Sequence, residues 1–253
     1  MKGPIVLLTD FGHADGYVGT MHGVIHARCP DVRVIDLSHD LPAQSVKAAA
    51  FVLWNAYKHF PKGSIFVCVV DPGVGGERPI VALETEDYAF IAPQNGLLDY
   101  VMAEVPVKYF FSVENPRFMG PQISNSFHGR DIFAPAAAQI AAGDPITQIG
   151  PIRPYHIPPS PFQALSASQP GEILYVDTFG NLITNWRQGE IQARAFRLKG
   201  KEIPVKAYYA EAAEGELLAL PASHGLWEIA CRNGDAASLL GAQTGTSVEV
   251  LME

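Results

Sequence analysis

The sequence predicts an α/β fold: an amino-terminal domain built on a mostly parallel sheet, then a small carboxyl-terminal β-barrel. Three observations carry this reading. Apolar runs of strand length alternate with helix-length segments through the first half of the chain, a proline-rich stretch breaks the pattern near residue 160, and short β-type runs separated by Gly, Asn and Asp fill the rest.

Ile5 to Thr9 is a continuous apolar run that meets Asp10, Gly12 and Asp15, the pattern of a buried strand delivering a carboxylate to a loop. A helix is expected from about Tyr17 to Arg28, a second strand over Val32 to Leu37, and a helix over Val46 to Tyr57 with alanines and bulky residues on one side. Ser64 to Val70, rich in β-branched residues, is the third strand and ends at Asp71. Such a β-α-β repeat binds ligands outside the carboxyl ends of its strands, where Asp10 and Asp71 both fall. Seven prolines lie between Pro145 and Pro170, so that stretch continues neither a helix nor a central strand. The expected division is an α/β catalytic domain over 1–156, a linker over 157–169 and a β-barrel over 170–253. In the last, strands are expected at Glu172 to Val176, Leu182 to Thr184, Glu202 to Tyr209, Leu226 to Ala230 and Ser247 to Leu251.

Composition narrows the function. The chain has 253 residues, 48% hydrophobic and 17% charged, enough to bury one sizeable core or two modest ones. With 18 Lys+Arg against 26 Asp+Glu, its net charge of -8 offers no basic face for a nucleic-acid backbone. Cys29, Cys68 and Cys231 are odd in number and far apart, which fits a reducing cytoplasm better than a disulfide framework or a zinc ribbon. No apolar stretch approaches the roughly 18 residues of a membrane span. A cytoplasmic protein without a membrane partner is therefore expected.

Three segments could carry chemistry. The first, DPGVGGERP at 71–79, combines a carboxylate at a strand end, three glycines and Arg78; it reads equally as a tight turn with a surface ion pair or as a loop built for close approach to a ligand. The second, SFHGRDIFAPAAAQIA at 126–141, sets His128, Arg130 and Asp131 before a small-residue helix, where Asp131 could serve only as its cap. An acid, a guanidinium and an imidazole at the loop ends of one sheet are suited to orient and deprotonate water. Asp10, Asp15, Asp71, His128 and Asp131 are also metal-ligand types, but no metal-binding spacing accompanies them, so no metal is expected. The third, DTFGNLITN at 177–185, reads either as hairpin turn residues or as a nucleobase site, with Phe179 stacking on a purine and an Asn amide matching an adenine edge.

Six ordered blocks together resemble one family. They are TDFGHADGYVGTMHG at 9–23, VVDPGVGGERP at 69–79, APQNGLL at 92–98, FHGRDIFAPAAA at 127–138, DTFGNLITN at 177–185 and SHGLWEIACRNGDAA at 223–237. The chain is similar to the SAM hydroxide adenosyltransferases, or S-adenosylmethionine hydrolases, relatives of the fluorinases and chlorinases. That resemblance implies a homotrimer with sites between the first domain of one subunit and the second of its neighbour, and no cofactor. It implies that Asp71, Arg78 and His128 activate water and that Asp10 holds the ribose hydroxyls. It places Phe179, Asn181, Ser223 and Glu228 at adenine and ribose, and Asp177 at the methionine ammonium. Two departures stand out: Gln94 replaces an expected Asp in the APDNG block, and His224 stands beside Ser223 where halogenating relatives place an arginine for the methionine carboxylate.

The implied reaction is in-line substitution by water or hydroxide at ribose C5′ of S-adenosylmethionine, giving adenosine and L-methionine, with clearance of the R sulfonium epimer as an attractive role. The sulfonium leaves as a neutral thioether, so no general acid is needed on that side. Two alternatives stand beside it. One is halide attack on the same carbon, which the Asp71 carboxylate would oppose; the other is a sensor that binds adenosine or S-adenosylmethionine without turnover.

Overall fold

β1 (Ile5–Thr9) is buried at every position and pairs in parallel with β2 (Val34–Ser38) on one side and β3 (Ile65–Val69) on the other. The computed structural model describes residues 3–164, 169–189 and 193–252, and the chain divides into two compact units, residues 1–159 and 160–253. In the first unit, β4 (Ile80–Glu84), β5 (Ala89–Pro93) and β6 (Tyr109–Ser112) complete a six-stranded sheet of order β2-β1-β3-β5-β4-β6. β5 is parallel to β3, whereas β4 runs antiparallel to both β5 and β6. The sheet is thus mostly parallel, as the alternating pattern predicts, with one reversed strand that this pattern does not reveal.

Both faces of this sheet are covered, which is why its strands read as unbroken apolar runs rather than alternating ones. α1 (Tyr17–Arg28) and α4 (Ala134–Ala141) share a core with Ile5, Leu7, Ile65 and Val67; Met21 and Ile25 come from α1, and Ala134, Ala136, Ala137 and Ala138 from α4. The alternate positions on the strands face the other way. There Phe66 stacks on Phe90 at 5.0 Å and meets Phe60 and Tyr88 edge-on, beside the end of α2 (Val46–Ala56).

α4 is entered through a π-helical turn, Gly129–Phe133. Pro135 has no N–H for the Asp131 carbonyl four residues back, and the Gly120 N–H takes that carbonyl instead at 2.7 Å. Asp131 is not a helix cap. Its buried carboxylate accepts from Ser124 N at 2.8 Å and Ser124 Oγ at 2.6 Å, tying the preceding loop to the helix start.

The second unit is a seven-stranded antiparallel sheet of order β10-β9-β13-β7-β8-β12-β11. Its strands are β7 (Gly171–Val176), β8 (Leu182–Arg187), β9 (Ala193–Leu198), β10 (Lys201–Pro204), β11 (Leu217–Pro221), β12 (Leu226–Cys231) and β13 (Ser247–Met252), with the short α5 (Ala236–Leu240) before β13. A bridge between Val205 and Ala219 joins the two edges, so the sheet nearly closes on a core of Trp186, Phe196, Leu198, Trp227 and Ile229. The strand expected over Glu202 to Tyr209 ends at Pro204, and that expected over Leu182 to Thr184 continues to Arg187. β9 and β11 were not anticipated.

The proline-rich stretch is tethered at both described ends. Ser112 N donates to Pro151 O and Arg153 N to Phe110 O, while Gln163 N donates to Asn185 O and Arg187 N to Gln163 O. Prolines suit such sheet-edge positions because only one side of the chain is paired. Residues 165–168 of the expected linker lie outside the described residues.

Phe66 lies fully buried on the strand that leads to Asp71. Phe66→Ala should lower stability by about 3–5 kcal/mol, the range for deleting a buried phenyl group, read as a shift in the denaturant midpoint at unchanged slope.

Candidate active site

Paired Thr9 and Val69 put the carboxyl ends of β1 and β3 side by side, so Asp10 and Asp71 emerge at neighbouring points on one sheet edge. The 71–79 loop then returns to β4, which places Arg78 at the same edge. Arg78 Nε donates to both oxygens of Asp71 at 2.9 Å, and Arg78 Nη2 also reaches Asp71 Oδ2. The same Nη2 donates to His128 Nδ1 at 2.8 Å. Of the glycines in this loop, Gly75 is required for close backbone approach. With φ of +78°, a Cβ there would sit 2.2 Å from the Asn125 carbonyl oxygen, so Gly75 lets the Arg78 loop lie against the loop carrying His128. Asn95, which the sequence analysis did not single out, donates from Nδ2 to Val70 O at 2.9 Å and steadies the approach to Asp71.

The guanidinium sets the tautomer of the imidazole. Arg78 can only donate, so His128 Nδ1 accepts, and a neutral ring must carry its proton on Nε2. Burial holds the His128 pKa below its ordinary value, and the Arg78 charge lowers it further; Asp71, the Ser124 carbonyl and Asp131 act in the opposite direction. His128 is therefore neutral at pH 7, with its one basic nitrogen already occupied. Asp71 remains as the proton acceptor. Asp71 and His128 line a cavity of about 230 Å³ together with Asp10, Phe11, Gln44 and Phe127. Asp10 Oδ2 accepts from Gln44 N at 2.7 Å, a contact that Gln44 makes from a left-handed backbone with φ of 63°.

The second unit holds the other predicted residues. Asp177 Oδ1 accepts from Phe179 N and Asn181 N, and Oδ2 accepts from Asn181 Nδ2, all at 2.9 Å. This turn leaves Phe179 76% exposed, beside a cavity of about 510 Å³ that Asn181, Tyr209, Arg232 and Asn233 also line. Gly180 packs so close to Asp235, ahead of α5, that a Cβ would fall 2.1 Å from its carboxylate, which fixes the turn against that helix. Asn185 takes no part: inside β8 its amide accepts from Glu172 N at 2.9 Å and donates to Pro161 O at 3.2 Å.

Glu228 is buried on β12 and pairs with the Tyr209 hydroxyl, a partner with no sequence signal beyond an exposed Tyr-Tyr pair. Burial and nearby Asp177 raise the Glu228 pKa against the lowering effect of Tyr209, and burial with the Glu228 contact raises that of Tyr209. His224 turns inward: Nδ1 accepts from Leu226 N at 3.3 Å and Nε2 lies 3.9 Å from Glu228 Oε2. Ser223 is exposed in the adjoining turn, and Gln94 is exposed at a separate cavity of about 250 Å³. Among the described residues no group of three or more His, Cys, Asp or Glu is placed to hold a metal ion, and no helix is long and apolar enough to cross a membrane.

Comparisons with known proteins agree over both units. The family models for the SAM hydroxide adenosyltransferase N-terminal and C-terminal domains match residues 5–150 and 171–249. The chain is 36% identical to the (R)-S-adenosyl-L-methionine hydrolase of Thermus thermophilus, over 98% of this chain and 99% of that protein. It is 24% identical to the fluorinase of Nocardia brasiliensis, over 97% and 96%. A crystal structure of an uncharacterized conserved protein from Thermotoga maritima superimposes with a TM-score of 0.86 at 33% identity, covering 98% of this chain and 99% of that one.

Two outcomes follow from this geometry. Nitrogen-15 NMR should find His128 still neutral at pH 6.5, where a free imidazole is about half protonated. Because the unfolded chain then binds more protons at this position than the folded one, His128 makes stability fall as pH drops below that value. Gly75→Ala should cost about 1–3 kcal/mol in chemical denaturation, from a strained φ together with the collision at Asn125.

Proposed function

The chain belongs to the SAM hydroxide adenosyltransferase family, and from that premise we propose that it hydrolyses S-adenosyl-L-methionine to adenosine and L-methionine, with the R sulfonium epimer as preferred substrate. The observation that carries the reading is the Asp71–Arg78–His128 constellation at the carboxyl edge of the sheet. The T. thermophilus relative's name supports both the reaction and the epimer.

The water oxygen forms a bond to C5′ as the C5′–S bond breaks. The bond electrons stay on sulfur, which leaves as the neutral thioether of methionine. Asp71 accepts a hydrogen bond from the water and then its proton, which becomes strongly acidic only as the new C–O bond forms. Arg78 holds Asp71 in place through three hydrogen bonds and is itself located by His128, so all three are fixed before substrate arrives. Phe11 and Phe127 dry the cavity, which favours a step that discharges a cation. A halide would meet the Asp71 carboxylate at the point of attack, which argues against halogenation.

In this reading Asp10 anchors the ribose hydroxyls, Phe179 and Asn181 take the adenine with Glu228 and Ser223 beside them, and Asp177 faces the methionine ammonium. A catalytic domain over 1–156 and an adenine-binding barrel over 170–253 then supply complementary halves, in a cytoplasmic homotrimer that needs no cofactor. The exposed Phe179 ring supports a site completed by a neighbouring chain.

Hydrolysis in oxygen-18 water should place the label in the 5′-hydroxyl of adenosine, with no 5′-halo product in chloride or fluoride. Turnover without label at C5′ would overturn the mechanism, and stoichiometric binding without product would mark a sensor. Asp71→Asn should lower kcat by about 10²–10⁴, with adenosine binding retained within a few fold. Light scattering should report a trimer; a fully active monomer would remove the shared site.

A further inference from the structure

We infer that His39 is a positioning residue that sets Asp10 against the ribose hydroxyls, acting through Thr9 and the loop that follows β1; this rests on the role of Asp10 given above. His39 is 1% exposed and lies just beyond β2, outside the cavity that holds Asp10. Nδ1 is hydrogen-bonded, and Nε2 stands near a carboxylate without a hydrogen bond to it. Nε2 lies 3.1 Å from Asp36 Oδ1, the same oxygen that His22 Nε2 approaches at 2.8 Å. Nδ1 lies 2.8 Å from Thr9 Oγ1, and the His13 ring stands edge-on at 5.2 Å.

The negative charge of the Asp36 carboxylate near Nε2 favours the proton on that nitrogen, so in the neutral ring Nδ1 accepts from the Thr9 hydroxyl. The Thr9 oxygen in turn accepts from Phe11 N at 3.2 Å. On the other side, Gly12 N donates to the His39 carbonyl at 2.8 Å, from a left-handed backbone with φ of +64°. Asp10 is therefore bracketed: residue 9 is held by the imidazole, residue 11 by the hydroxyl that the imidazole orients, and residue 12 by the His39 backbone.

Among the described residues, the one hydrogen bond made to the Asp10 carboxylate comes from Gln44 N, five residues beyond His39 in the same connection. One buried ring thus locks two loops whose spacing decides where the carboxylate stands. A side chain without an acceptor in the place of Nδ1 would leave the Thr9 hydroxyl and the Phe11 N–H without this orientation. The geometry loosens by fractions of an ångström rather than collapsing, and a carboxylate that must meet two vicinal hydroxyls is sensitive to such shifts.

The test compares the affinity of the intact protein for adenosine and for 2′,3′-dideoxyadenosine by titration calorimetry, in wild type, Asp10→Ala, His39→Ala and Thr9→Val. Wild type should prefer adenosine, and Asp10→Ala should lose most of that preference. His39→Ala and Thr9→Val should weaken adenosine binding by roughly ten- to a hundredfold, with dideoxyadenosine binding changed by less than about twofold, and should raise KM far more than they lower kcat. A general structural defect would weaken both ligands alike. If His39→Ala fails to fold, Thr9→Val, which is nearly isosteric and keeps His39, decides the matter. Full adenosine preference in Thr9→Val and in any folded His39→Ala, with the preference lost in Asp10→Ala, would overturn the role of His39 alone. An unchanged preference in Asp10→Ala would remove the ribose role of Asp10, and the positioning role with it.

Discussion

The fork that Arg78 makes between Asp71 and His128 is the constraint on which the amino-terminal site depends. One guanidinium satisfies a carboxylate through Nε and Nη2 and still directs Nη2 to an imidazole nitrogen, so three side chains from two loops share one geometry. The Arg78 and Asp71 side chains are only 13% and 4% exposed, and removing either partner would strand a charge away from water. The close approach of Gly75 to Asn125, the staple from Asp131 to Ser124 and the π-helical entry to α4 all serve to bring the His128 loop within reach of that guanidinium.

Much of this was legible from residue pattern, and the gaps have physical causes. The first three strands and two helices are visible because a sheet covered on both faces demands unbroken apolar runs and helices with one buried side. Asp10 and Asp71 stand out because they end such runs. β4 and β5 were harder, since IVALE and AFIAP are as apolar as a parallel strand, and only the polar turn between them marks a reversal. In the barrel, β9 gives no strand signal because ARAFRL exposes two arginines three positions apart, which lowers its mean hydropathy and breaks the two-residue alternation of a half-buried strand. Resemblance to a family added the roles; spacing alone left the glycines of 71–79 and the amides of 177–185 undecided.

The two units handle polar groups differently. In the first, Asp71 and Arg78 of one loop are joined by His128 from a loop fifty positions away from Arg78. In the second, Asp177 satisfies the backbone of its own turn, which also rests on Asp235 ahead of α5, and so presents Phe179 outward. Local closure of that kind makes an exposed aromatic ring compatible with a small barrel, whose core is too limited to stabilise a long irregular loop. His224 follows the same economy, turning to Glu228 and Leu226 within its own hairpin instead of outward.

The reversed strand β4 has a consequence for chain topology and for the order of assembly. Had the segment after β3 formed another parallel strand, it would have had to cross the length of the sheet, usually through a helix, before re-entering. Arg78 would then stand at the opposite edge from Asp71, some four residues of strand away. Reversal lets the chain turn back at once, so donor and acceptor are separated by seven positions. Ring closure over so few residues costs little entropy, and the ion pair can form before the distant His128 arrives. The two-carboxylate edge of a parallel sheet thus acquires its guanidinium from a neighbouring stretch of chain, and only the imidazole must be recruited by tertiary folding.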